Sequence, residues 1–505
     1  MLPSGPRTAL FPVSWRAVGA IVRPRPALQA CLGLMAGIAC AEFTLPAVPL
    51  MAAALFVMLW GVWRFPQVWV LALAFCVGWA RYTAWQAVSD AEPPNRAVLR
   101  AVSLLEPTRT GHRLLCTFEE PAIEGFALVY FRESVAAEAL PDYGDRFVLE
   151  ASWTKPRNWQ GAPFDWARYL GRRRVRHLAF VYHAGQVQIL DSGASLWQRR
   201  LGLARHNLRD TLRSRLTPET AAITEGMMMG ATGDFPADLR EAFMRSGIGH
   251  LLATSGLQVA MVLHMIGGAL LWWGVPLRGR ILTVMVSAWL YALLAGMHPS
   301  IVRASIMATL ALSAPLVRRE ADSLSALGMA GFLWLLYAPY SLFEVGFQYS
   351  FSAVLCILLF YGRVVRWLNG MWQKLAPLPL LKGFGTRFLC PMLSVTLCAQ
   401  LGVAPIQLYH FGYFGWLSTV ANLLAVPVAY PLLALGFLFW FSQGWLGGVA
   451  LEWLCSWLRW VALTFGSSGA PMLTIAHLPV WGVLGFYALL IALAPEPTEW
   501  EEREG

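Results

Sequence analysis

Apolar positions in this chain run on where most proteins alternate. Uninterrupted stretches at 249–273, 388–408, 416–441 and 478–494 reach the roughly 17 to 25 residues a helix needs to cross a bilayer core. Only helices and closed barrels satisfy their backbone in lipid, so these stretches predict transmembrane helices. Three more are predicted ahead of them, near 27–48, 51–63 and 68–85, with Arg64 in the turn between the second and third. From about 87 to 195 the pattern changes to short alternating runs at 112–118, 126–131, 145–153 and 177–190, broken by Gly144 and Gly185. Such runs predict strands, and about five of them in roughly a hundred residues predict a small β-barrel.

Residues 196–217 change the period again. Leu201, Ala204, Leu208 and Leu212 share one helical face, while Arg199, Arg200, Arg205, Arg209, Arg213 and Arg215 crowd the rest. That amphipathic pattern predicts a helix lying on the lipid surface. About nine further helices fit into 218–495. The expected fold class is a polytopic α-helical membrane protein of about 12 transmembrane helices with an inserted small β-barrel domain. Its parts are a helical segment at 1–86, the barrel at 87–195, the interfacial helix, the large helical domain at 218–495 and an acidic tail at 496–505.

Composition agrees, with 57% of the 505 residues apolar and only 13% charged. Charge placement then sets the orientation. The first 26 residues hold Arg7, Arg16, Arg23 and Arg25 and no acid, which predicts an uncleaved first helix with a cytoplasmic start. Within the large helical region Arg278 and Arg280 fall in the first connection, and Arg318 and Arg319 in the third. Arg363, Arg366, Lys374, Lys382 and Arg387 fall in the fifth, and the connections between these carry no Lys or Arg. Alternation of this kind places both chain ends in the cytoplasm and the barrel on the outer face of the membrane. The net charge of +10 is matched by 155–215 alone, where thirteen basic residues face Asp165, Asp191 and Asp210. Only Lys155, Lys374 and Lys382 are lysine; arginine suits phosphate through its planar fork, and GC-rich codon usage gives the same bias. Seven of the eight cysteines lie in apolar spans, and no CxxC, HxH or GxxxxGK[ST] pattern occurs. No metal, disulfide framework, nucleotide or other cofactor is expected.

Polar groups inside apolar spans are costly and mark candidate chemistry. His250, Thr254, Ser255, Gln258 and His264 interrupt the first long span, and Ser255 followed by Gly256 is a place for the helix to break. His250, Thr254 and Gln258 repeat every four residues, which would put them on one face; interhelical hydrogen bonding is the alternative reading. Arg303 sits about one turn past Pro299, where it must snorkel, pair or line water. Glu344, Gln348, Ser350 and Ser352 gather at another helix start, with Glu344 a candidate partner for Arg303. Gln400, Gln407, His410 and Asn422 punctuate two helices that Pro405 and Pro427 bend.

The order of these four segments, behind an N-terminal helical cluster and a small barrel, resembles the ComEC family of competence proteins from about residue 27 to 495. HLLATSGL at 250–257 is similar to the family's signature segment. Pro299 with Arg303, 346–351, Asn422 with Pro427, and PFDWARYL at 163–170 fall where the family has the same residue types. The resemblance implies a channel for uptake of single-stranded DNA in natural transformation, with an OB-like barrel that binds the strand. His250, Thr254, Ser255, Gln258, Arg303, Glu344, Gln348, Gln400 and Asn422 become candidates for the DNA path. In the barrel, Arg172, Arg173, Arg174 and Arg176 are candidates for phosphates, and Trp159 and Trp166, with Tyr130, Phe131, Trp153 and Phe164, for base stacking. The alternative for each aromatic is the barrel core.

Two departures matter. Gln258 stands where the family usually has a second histidine, and the metallo-β-lactamase-like domain of long members has no counterpart here. A separate DNA receptor, nuclease and cytoplasmic DNA motor are the expected partners, besides the strand and the bilayer. Two other functions fit parts of the pattern: an intramembrane serine hydrolase using Ser255 with His250 or His264, and a secondary transporter of a small solute or lipid. The first is disfavoured by the five-residue spacing of His250 and Ser255, about 500° round a helix.

Overall fold

The structure, a computed structural model, describes residues 25–43, 68–87 and 91–494 except 109, 137–138, 159–164, 193, 231–234, 254, 318–321, 377, 468–471 and 476–477. The expected helix at 51–63 with Arg64, the acidic tail, Arg318, Arg319, Thr254, Trp159 and Phe164 therefore lie outside the described residues.

The expected first and third helices are Pro26–Glu42 and Val68–Gln86. They touch backbone to backbone because Gly33 and Gly37, four residues apart, lack side chains at the crossing. A Cβ at Gly37 would lie 2.1 Å from the carbonyl oxygen of Phe75, and one at Gly33 2.3 Å from that of Leu71. Small residues at this spacing are how helices associate where burial from water provides no drive.

The β domain follows. Its strands are β1 (Arg96–Ala101), β2 (Glu106–Thr108), β3 (Gly111–Glu120), β4 (Phe126–Arg132), β5 (Asp145–Glu150), β6 (Val175–Val181) and β7 (Val187–Ser192). They lie in the order β6-β4-β3-β1-β5-β7, with β2 on β3. Every pairing is antiparallel except β4 with β6. Bulges at Val98/Leu99, Phe126/Ala127 and Arg146/Phe147 bend the strands. Four residues past β5, Thr154 and Leu178 exchange two backbone bonds of 2.9 and 2.8 Å, joining the β5 end of the sheet to β6. Alternate residues point inward, so Leu99, Leu114, Cys116, Phe131, Phe147, Leu149 and Val181 form the core. Phe131 is thus a core residue, not a stacking platform.

The amphipathic helix is Leu196–Arg215. Leu208 and Leu212 are fully buried against the helical domain, and Leu196, Trp197 and Leu203 are exposed. Its arginines turn to a partner: Arg209 and Arg213 hold the buried carboxylate of Glu225 at 2.8 and 3.0 Å. Glu225 belongs to Pro218–Met229, a short helix buried from Thr220 to Met229 except at Ala222.

Among the described residues five helices are long and apolar enough to cross a membrane: Leu277–Leu294, Pro299–Leu316, Val345–Leu375, Pro379–Phe411 and Ser418–Phe441. Shorter apolar helices are Pro26–Glu42, Gly256–Trp272, Ser323–Tyr337 and Val480–Leu493. Their outward side chains, among them Trp272, Leu282, Val286, Leu290 and Trp481, are exposed apolar groups that suit lipid and not water. The chain is a polytopic helical membrane protein with a small β domain. One expectation is corrected: 249–273 is not one helix. A 3-10 turn, Gly249–Leu251, is followed by a break, and the helix proper starts at Gly256.

Candidate functional site

The broken segment 247–258 is the centre of the site. Ser255 caps the helix Gly256–Trp272, its Oγ accepting the Gln258 amide at 3.4 Å. Gln258 answers twice: its Oε1 accepts the Ser255 amide at 2.7 Å, and its Nε2 donates to the Leu251 carbonyl at 2.8 Å. A Ser at the cap with a Gln three residues on is a capping box, and it explains why the chain starts a new helix here. Gln258 is therefore a buried staple of the break. His250 and Gln258 do not continue one helical face, because the break resets the helical phase between them. His250 turns outward, its Nδ1 3.1 Å from the Gly247 carbonyl.

Two walls hold the segment. At its start Gly247, with φ +79°, packs so closely on Ser418 that a Cβ there would lie 2.4 Å from the serine Cβ. Ser418 accepts from Gln400 Nε2 at 2.9 Å, Thr419 donates to Gln400 Oε1 at 2.6 Å, and Asn422 Nδ2 donates to the Ser418 carbonyl at 2.8 Å. Gln400 and Asn422 thus belong to one polar network, in which the buried Asn422 Oδ1 lacks a partner among the described residues. At the segment's other end Gly256 faces Arg303, whose Nη2 lies 3.3 Å from where a Cβ on Gly256 would be. Arg303 is 4% exposed, and its guanidinium stands 5.1 Å from the ring centre of Phe351.

Glu344 does not pair with Arg303. It is taken by Arg173 of the β domain, at 2.7 Å from Nε. Gln348, one turn on, donates to the Leu342 carbonyl at 3.0 Å and bonds His410 at 2.9 Å.

The basic cluster at 172–176 seats the β domain on the helices. Arg172 reaches Glu42 at 2.6 Å, joined by Arg168 at 2.8 Å, and stacks 4.4 Å from the Phe343 ring centre. The Tyr82 hydroxyl donates to the other Glu42 oxygen. Trp85 donates to the Arg172 carbonyl at 2.8 Å and stacks on Tyr340. Burial works against the charge of Arg173, but Tyr169 and Glu344 beside it hold its proton more firmly than water would. Arg174, at φ +61°, ends the helix Trp166–Arg172 in the left-handed conformation, and its guanidinium lies over Trp85. Arg176 Nε is buried without a partner among the described residues. Trp166 stacks on Tyr169, Tyr130 on Phe180, and Trp153 against Phe118.

Sequence patterns singled out neither Glu42, Tyr82 and Trp85 nor Ser418, and Phe351 only as the end of the segment 346–351. A signal for Glu42 exists: it is the sole acid in 27–48.

A family model described as "Competence protein" matches residues 227–498, more than half of the chain. Among curated proteins, "ComE operon protein 3" of Bacillus subtilis (strain 168) is 28% identical over 326 residues, covering 64% of this chain and 39% of that protein. An "Uncharacterized protein" of Aquifex aeolicus (strain VF5) is 27% identical over 246 residues, 48% of this chain and 52% of its own length. "Uncharacterized protein YcaI" of Escherichia coli (strain K12) is 24% identical over 218 residues, 41% of this chain and 27% of its own. The chain thus spans between about a quarter and a half of the lengths of these relatives. No solved structure matches it. The matched region contains the broken segment, Arg303, Glu344, Gln348, Gln400 and Asn422, and on that match the chain belongs to the ComEC family of competence proteins.

Proposed function

We propose that this chain forms the route by which single-stranded DNA crosses a bacterial plasma membrane in natural transformation. The observation that carries the reading is the broken segment. Backbone that is not helical is tolerated at membrane depth only against protein or a water-filled cavity, and here it meets polar groups from the helices carrying Gln400, Asn422 and Arg303. A strand carries one charge per nucleotide, which lipid rejects, so its path needs such groups.

The β domain serves this function as an OB-like module outside the membrane. Five consecutive strands of its sheet, β6-β4-β3-β1-β5, with one parallel pair, support that reading, as does the Thr154 bridge from the β5 end back to β6. Its seat supports the orientation. It meets Tyr340, Phe343 and Glu344, and Arg205 of the interfacial helix meets the Leu294 carbonyl at 2.8 Å. Those are the connections without Lys or Arg, which the positive-inside pattern assigns to the outer face. The described N-terminal helices Pro26–Glu42 and Val68–Gln86 both end at this seat.

A hydrolase is the weaker reading. Ser255 Oγ is engaged as a helix cap, and no described histidine bonds it. His250 is held by Gly247, and His264 stacks edge-on to Tyr430. A secondary transporter shares the broken helix but has no use for the docked β domain. Uptake of labelled DNA by a deletion strain and by its complement separates the readings. Restored internal strand is expected from the complement, and equal uptake by both strains would leave the transporter.

A further inference from the structure

Arginine in the interior of a membrane domain pairs, snorkels or lines water, because an isolated charge there is costly. Arg303 neither pairs with a carboxylate among the described residues nor reaches the protein surface. Its side chain is buried, and neither Nε nor Nη1 has a hydrogen-bond partner among the described residues. The carboxylate nearest in sequence patterning, Glu344, is engaged by Arg173. The face of Phe351 offers partial compensation only.

What the guanidinium faces sharpens the problem. Nη2 is directed at Gly256, the first residue of a 17-residue helix, where the helix dipole presents its positive end. The first amides of a helix have no acceptor within it. Ser255 Oγ takes the amide of Gln258, and that of Val259 reaches the Ser255 carbonyl at 3.4 Å. The amides of Gly256 and Leu257 are left without an acceptor among the described residues. Two positive groups therefore meet in a buried place with no carboxylate between them among the described residues. Gly256 keeps the approach to its own backbone bare, since a Cβ there would crowd both Arg303 and Ala304 at 3.3 Å.

We infer that Arg303 and the free amides of Gly256 and Leu257 form an anion station that holds one phosphodiester of the strand in transit. The inference rests on the channel reading and deepens it. A planar fork beside backbone N–H groups is how proteins bind a phosphate oxygen without reading a base. Access requires the helices Gly256–Trp272 and Pro299–Ser313 to part. A single station with no second cation suits a path that must release each phosphate as well as take it.

The test uses the full chain reconstituted in vesicles, with Arg303→Gln, Arg303→Lys and Gly256→Ala beside wild type. Oligonucleotides carry either native linkages or an internal block of neutral methylphosphonates. The wild type should internalise the native strand at least ten-fold faster than Arg303→Gln. Arg303→Lys should fall between, and Gly256→Ala should be slowed. The methylphosphonate block should erase the difference between wild type and Arg303→Gln. Thermal unfolding in detergent supplies the readout that a purely structural role would move the other way: Arg303→Gln should melt at or above the wild-type temperature. Equal uptake by wild type and Arg303→Gln overturns the station, and so does an equal loss for both kinds of strand. Phospholipid retained by delipidated wild type and not by Arg303→Gln, with uptake unchanged, would assign the site to a lipid phosphate and also overturn it. A wild type that internalises no strand would defeat the channel reading itself.

Discussion

Two sets of arginines receive opposite treatment in this protein. At the seat of the β domain, Arg168, Arg172 and Arg173 each find a carboxylate, and Arg172 and Arg173 an aromatic face as well. Inside the helical domain, Arg303 has, among the described residues, the ring of Phe351 alone. The first set satisfies itself within the protein and so holds parts together. The second is satisfied only by something that arrives. The difference teaches that a basic cluster in the sequence need not be where a polyanion is gripped, since charges that find partners during folding have little left to offer a ligand.

The largest effect on the paired side is expected at Glu225, which is 2% exposed and holds two arginines. Glu225→Ala should cost about 3 kcal/mol, at the lower end for a broken buried pair because Arg213 can reach water. Denaturant or thermal unfolding in detergent measures it, and a loss below about 1 kcal/mol would contradict the clamp. Next is Glu42→Ala, with an expected loss of about 2 kcal/mol and looser docking of the β domain. A double-mutant cycle with Arg172→Gln should show coupling, and additive losses would mean the seat does not depend on the pair. The smallest is Ser255→Ala, which removes a cap worth about 1 kcal/mol. Strand uptake should stay close to wild type, whereas abolished activity would revive the hydrolase reading.

Local periodicity made much of the fold legible. The amphipathic helix expected at 196–217 is Leu196–Arg215, and the helix starts afresh at Gly256, where Ser255 followed by glycine suggested a break. Contacts between distant parts were not legible. Arg172 and Glu42 are 130 residues apart, and Arg173 and Glu344 are 171, so no spacing rule links them. The expected Arg303–Glu344 pair failed for this reason, because the stronger competitor came from another domain. The face expected to carry both His250 and Gln258 failed because a period holds only while the helix lasts. Strands β8 (Tyr413–Gly415) and β9 (Met472–Thr474), which pair across almost sixty residues, are too short to leave any alternation in the sequence.

The account turns on whether a polyanion passes through the protein rather than around it. The direct measurement traps a single-strand-binding protein inside vesicles, with the purified chain in the membrane, and follows labelled strand that becomes resistant to external nuclease. Protected strand should accumulate in vesicles holding the wild-type chain and far more slowly in those holding Arg303→Gln. Accumulation no greater than in protein-free vesicles would contradict the account.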